Sequence, residues 1–144
     1  MAYFHLFRAS FYKSSIVQKV ILTATALAGL TAVILGAFGA HSLKPLLTLD
    51  ELSIWEKGVQ YQIYHTLALF MCALFLRKEH STYIRNAAIC FILGILCFSG
   101  SLYLLATREL THMPAIILGP VTPIGGFFFI GGWCFVLIEA LRKN

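Results

Sequence analysis

Six side chains in this sequence carry chemistry that can act on another molecule: His41, Glu56, Gln62, His65, Ser99 and Tyr103. An imidazole exchanges protons near neutrality and binds metals through a ring nitrogen. Gln62, Ser99 and Tyr103 supply the donors and acceptors that orient a polar ligand. Their spacing argues against stronger chemistry. No His-x-x-x-His pair marks a metal site, so no metal is expected. His41 and His65 fall at different depths, which disfavours haem ligation from two helices, and no cofactor is expected. There is no nucleophile elbow, phosphate loop or paired acidic motif, and the chain is not expected to be an enzyme. Each residue also has a plainer use. His65 can pack against a hydroxyl or a backbone carbonyl, and Glu56 can pair with Lys57 or Arg108 among headgroups. Trp55, Tyr61 and Tyr64 suit an aromatic belt at the membrane surface.

These residues must be positioned by a chain that is 59% hydrophobic and only 12% charged, with a mean hydropathy of +0.82. Soluble domains are about 45–50% apolar. The net charge of +5 lies in short segments between long apolar runs. That is a membrane-topology pattern rather than a nucleic-acid stripe, and no nucleic-acid partner is expected. Cys72, Cys90, Cys97 and Cys134 all sit inside apolar runs without Cys-x-x-Cys spacing, and read as small buried hydrophobes.

The sequence predicts an all-α integral membrane four-helix bundle. Residues 1–19 form a basic aromatic segment with no acidic residue. Both an interfacial amphipathic helix and a mitochondrial presequence fit it. Residues 20–142 form the transmembrane domain, with spans at about 20–40, 52–76, 86–106 and 123–141. The first span is 21 residues without a charge, longer than the apolar core of about 7–15 residues in a cleavable signal peptide. Ala24, Ala28, Ala32, Gly36 and Ala40 recur every fourth position along it. Gly125, Gly126, Gly131 and Gly132 do similar service on the fourth, and both sets permit close helix packing. Thr48 and Glu51 have capping-box spacing before the second span. Thr122 and Pro123 read as cap and first residue of the fourth. An alternative start at Ala115 would kink that helix at Pro120 and Pro123.

The N-terminus, the 77–85 turn and the C-terminus hold eight Lys and Arg residues, and the opposite side holds three. Both termini are therefore expected in the cytoplasm, or in the matrix of a mitochondrion. On this topology His65 lies 12 residues before Arg77, about 18 Å above the cytoplasmic boundary. Ser99 and Tyr103 share its leaflet, and His41 sits near the edge. The polar first half of the second helix is expected to be wrapped by the bundle, leaving Val59, Ile63 and Phe70 as its apolar stripe. An outer-leaflet polar pocket formed by His41, Gln62, His65, Ser99 and Tyr103 follows.

The motifs GAFGAHSLK (36–44), WEKGVQYQIYH (55–65), FSGSLYLLA (98–106) and GPVTPIGGFFFIGGW (119–133) occur in that order. Together they resemble the YgdD-like membrane proteins classed as domain of unknown function 423, whose eukaryotic relative is transmembrane protein 256. The family usually has Ala or Thr where Glu56 and Lys57 stand. The resemblance implies a four-helix integral membrane protein without an assigned activity, in the bacterial inner (plasma) membrane or, alternatively, the mitochondrial inner membrane. The leading functional expectation is a non-enzymatic bundle whose pocket takes a membrane lipid or quinone-like molecule. The alternatives are an accessory subunit whose small-residue seams face other membrane proteins or further copies, and a small-solute or proton transporter. The dry cytoplasmic half offers such a transporter no relay.

Overall fold

The computed structural model describes residues 2–112 and 119–142, with side chains from Ile16 onward. The first helix runs through Ala2–Phe38 without a break between the basic N-terminal segment and the apolar run. It ends in a widened π-helical turn, Gly39–Leu43, whose last carbonyl accepts from both Leu46 N and Leu47 N at 2.9 Å.

The second helix, Leu49–Lys78, starts where Thr48 places it. Thr48 N donates to Glu51 Oε2 at 2.9 Å, and Glu51 N donates to Thr48 Oγ1 at 3.3 Å. Two orphan donors of the first turn are thus satisfied reciprocally. At 30 residues the helix is about 45 Å long, so its ends overhang a hydrocarbon core of about 30 Å.

The third helix begins four residues before the expected Asn86 start, because Ser81 caps it: Ile84 N donates to Ser81 Oγ at 3.2 Å. It runs as Thr82–Gly94, a π turn at Ile95–Ser99, then Gly100–Ala106. A short helical turn, Arg108–Thr111, follows. The fourth helix is Val121–Arg142, two residues earlier than the expected Pro123 start. Gly119 and Pro120 form a turn before it. The alternative start at Ala115 lies outside the described residues. All four helices are long and apolar enough to cross a membrane.

The helices pack in chain order, first on second, second on third, third on fourth. The first helix rests almost wholly on the second, which leaves an open lateral gap between first and third. Small residues set these contacts. Gly36 meets Val59, and Gly39 admits the Trp55 ring so closely that an added Cβ would lie 2.6 Å from its Nε1. Ala32 is buried and Ala24, Ala28 and Gly36 are half-buried, but Ala40 is exposed. A strict four-residue row drifts about 40° per step at 100° per residue, so Ala40 has turned about 160° from Ala24. Gly39 completes the contact in its place.

The third and fourth helices interlock through paired notches. Phe129 fills the space above Gly94, and Phe91 fills the space above Gly132. Gly125 presses on the backbone of the π turn at Phe98. Gly131 comes only within ordinary contact of Cys90 and Gly126 of Phe98. Gly36, Gly125, Gly132 and Ala32 of the expected seams are thus used inside the bundle. At the basic end, Ser81 Oγ donates to the buried Glu139 carboxylate at 2.7 Å, and Arg142 lies over the Tyr83 ring. Both contacts tie the ends of the third and fourth helices.

An added methyl at Gly125 would lie 2.7 Å from Phe98 Cα, whereas at Gly126 the nearest such atom is 4.0 Å away. Gly125→Ala should therefore cost roughly 1–3 kcal/mol in unfolding from mixed micelles, while Gly126→Ala leaves stability at or above the parent's.

Candidate functional site

The second helix turns Trp55, Gly58, Gln62, His65 and Thr66 inward. Gln62 is the hub. Its Nε2 donates to Ala28 O and to Thr31 Oγ1, both at 2.8 Å, reaching the first helix. Its Oε1 accepts from Tyr103 OH at 2.8 Å, reaching the third. Three of the four bonds an amide can make are satisfied by three partners on two neighbouring helices. Tyr103 reaches Gln62 because Gly58 leaves room for its ring, 2.9 Å from where a Cβ would stand. The Tyr103 ring also packs on Trp55 with centroids 4.7 Å apart.

Trp55 is not part of a surface belt. It is 5% exposed, and its Nε1 donates to Leu35 O at 2.9 Å. The notch at Gly39 admits the ring, and a carbonyl near the helix end supplies its acceptor.

His65 is buried but does not join Gln62 and Tyr103. Its ring stacks on Phe129 with centroids 3.4 Å apart and planes 9° from parallel, next to Tyr61, Phe91 and Trp133. Nδ1 lies 2.9 Å from Tyr61 O. A carbonyl only accepts, so Nδ1 carries the proton and Nε2 is left as an acceptor. His65 thus serves as a flat aromatic group joining the second helix to the fourth.

The remaining predicted residues separate further. Ser99 is fully buried in the π turn, one turn from Tyr103, and its Oγ has no hydrogen-bond partner among the described residues. Buried Thr66 Oγ1 shares that condition. His41 is exposed on the turn whose inward residues are Gly39 and Leu43, and leaves the site. Thr122 is the second residue of its helix, and its hydroxyl lies 2.6 Å from Ser101 Oγ, joining third and fourth helices rather than acting as the expected cap. Pro123 sits in the first turn, where a missing N–H costs nothing.

The polar face at Glu56, Gln60 and Tyr64 points away from the bundle. The expected wrapping therefore holds for Gln62 and His65, which turn in, and for Ile63 and Phe70, which stay outside, but Val59 is half-buried against Gly36 and the Glu56–Gln60–Tyr64 face is outside. Arg108 pairs with Glu109, Nε to Oε1 3.2 Å, and not with Glu56. Among the described residues no three His, Cys, Asp or Glu side chains converge as a metal site would need.

What Gln62 and Tyr103 border is the lateral gap between first and third helices, a groove of about 380 Å³ floored by the second. Thr31, Gln62 and Tyr103 stand at one end of it. Leu27, Leu69, Ile92 and Leu96 line the apolar rest. Thr31 borders the groove and Trp55 packs against Tyr103; sequence reasoning left out the first and put the second in a surface belt. The only signal for Thr31 was a hydroxyl one turn beyond Ala28 in an otherwise apolar run. Gln62→Leu should destabilise the protein by roughly 1–3 kcal/mol, because Tyr103 OH is left without its acceptor. A double-mutant cycle with Tyr103→Phe should show a coupling of about 0.6–1.7 kcal/mol in micellar unfolding.

The chain matches the family model described as protein of unknown function (DUF423) over residues 35–126. It is 39% identical over 125 residues to UPF0382 membrane protein SH2409 of Staphylococcus haemolyticus, covering 87% of this chain and 98% of that one. It is 38% identical over 126 residues to UPF0382 membrane protein YwdK of Bacillus subtilis, with the same coverage. It is 36% identical over 125 residues to UPF0382 inner membrane protein YgdD of Escherichia coli K12, covering 87% and 92% of the two chains. No solved structure matches significantly. With a family model spanning most of its length and these relatives aligned nearly end to end, the chain belongs to the DUF423 family of membrane proteins of unknown function.

Proposed function

We propose that this protein is a non-enzymatic binder of one amphipathic membrane molecule, a lipid or quinone-like compound, held in the lateral groove. The observation that carries this reading is the form of the groove: about 380 Å³, apolar along its length and polar only at the Thr31–Gln62–Tyr103 end. Ligand sites have volumes of about 300–1,000 Å³, with mostly apolar walls and a few placed polar groups. Gln62 lies 15 residues before Arg77, about 22 Å along the helix, so the polar end falls inside one leaflet. A chain lying along Leu69, Ile92 and Leu96 enters sideways from the bilayer without crossing a headgroup layer. Its polar group then meets the Gln62 carboxamide and the Tyr103 hydroxyl. The first helix leaves this face open because it rests on the second alone.

The excess of Lys and Arg at the end bearing Arg77, Lys78, Arg85 and Arg142 supports an orientation with both termini in the cytoplasm. The inner-membrane name of the Escherichia coli relative supports a bacterial plasma membrane.

Native mass spectrometry of the full chain, released from membranes in mild detergent, tests the proposal. The protein should retain one lipid or quinone per chain. Leu96→Trp, which fills the groove from an exposed position, should abolish the adduct while far-ultraviolet circular dichroism is unchanged. An unliganded parent chain, or an adduct indifferent to Leu96→Trp, would contradict it.

A further inference from the structure

On the side of the second helix facing away from its bundle, Ser53, Glu56, Gln60, Ile63, Leu67 and Phe70 are all exposed. Their steps alternate three, four, three, four, three, which is the heptad spacing of a helix that meets a partner helix at a shallow angle. Lys57 and Tyr64 flank the row and are exposed as well. Gln60 lies 17 residues before Arg77, about 26 Å along the helix, and so still within a hydrocarbon core of about 30 Å. Its amide donates to Tyr64 OH at 2.9 Å, one of the four bonds it can make. In hydrocarbon such a group finds its remaining partners on another helix.

We infer that this face is the interface of a parallel homodimer, with the two-fold axis along the membrane normal. Two observations select a second copy as the occupant. The face carries one negative and one positive side chain side by side, Glu56 and Lys57, so it is complementary to itself at equal depth. The residues Ser53, Glu56, Lys57 and Gln60 also border an open hollow of about 220 Å³ on the surface of the helix. Positions i, i+3, i+4 and i+7 are the four corners of the hole that receives a knob in coiled-coil packing. In a parallel pair the knob at this level is Glu56 of the other copy. It enters beside Lys57 and Gln60 of the facing helix; the two Glu56 carboxylates approach across the axis, each is paired with the opposite Lys57, and Gln60 meets Gln60 on the next turn. Ile63, Leu67 and Phe70 continue the seam toward the basic end. Copies inserted with the same orientation meet in this register without rearranging their bundles, because none of these side chains is used inside.

The test is energy transfer between donor- and acceptor-labelled full chains, tagged at the C-terminus and diluted in phosphatidylcholine vesicles. The parent should transfer above random proximity. Glu56→Lys, which leaves four cations and no acid at this level, should weaken association at least about tenfold. The swap Glu56→Lys/Lys57→Glu should restore it, and Gln60→Leu should weaken it. All three substituted residues are exposed in the single chain, so circular dichroism should stay unchanged across the series. Random-proximity transfer by the parent would overturn the inference, leaving the face to headgroups or to a different protein. Association indifferent to Glu56→Lys, or a loss the swap does not restore, would overturn it too.

Discussion

A carboxamide in hydrocarbon must find hydrogen bonds, and the Gln62 side chain finds them on two neighbours at once. Its nitrogen holds the Ala28 carbonyl and the Thr31 hydroxyl, and its oxygen holds Tyr103. Because the driving force between apolar surfaces is lost in lipid, such bonds and close packing do the work that water-driven burial does in soluble proteins. Gln62 therefore fixes the first helix against the second at the level where the third also arrives. The other contacts of the first helix, Gly36 on Val59 and Gly39 and Leu35 O on Trp55, are also made to the second helix, and the groove beside it is a consequence.

Glycine and alanine set the distances that let this amide reach. Gly58 makes room for Tyr103, Gly39 for Trp55, and Gly94 and Gly132 for the opposed rings of Phe129 and Phe91. The result is two layers. One is a polar junction of first, second and third helices around Gln62. The other is an aromatic junction of second, third and fourth helices around His65 and Phe129. His65 belongs to the second layer by shape, as a flat ring bonded to its own helix, and not by its titration.

Much of the scaffold was legible in the sequence, because apolar runs of about 20 residues have few other uses. The Thr48–Glu51 cap was legible for the same local reason. In the sequence, Gln62 and Tyr103 fall in one expected pocket with His41, His65 and Ser99, with nothing to single out their pairing. What sequence reasoning could not supply was rotation. The polar row Glu56–Gln60–Tyr64 and the polar row Gln62–Thr66 sit on one helix, and only tertiary contacts decide which faces inward. The Gly39 notch decided it by drawing Trp55 in, which turns Gln62 toward the first helix and Gln60 away. The π turns at Gly39–Leu43 and Ile95–Ser99 were also invisible to a periodicity of 3.6. His41 lies exposed on the first of them, and Ser99 is enclosed in the second without a hydrogen-bond partner among the described residues. The Ser81 cap, read as part of a polar turn, moved the third helix start back to Thr82.

The most direct measurement is a through-space solid-state NMR correlation on the full chain in lipid bilayers, with glutamine, tyrosine and threonine labelled. A direct contact is expected between the Gln62 carboxamide and Tyr103 Cζ, together with one from Gln62 to Thr31. A Gln62 carboxamide that correlates with water or lipid headgroups and with neither side chain would contradict it.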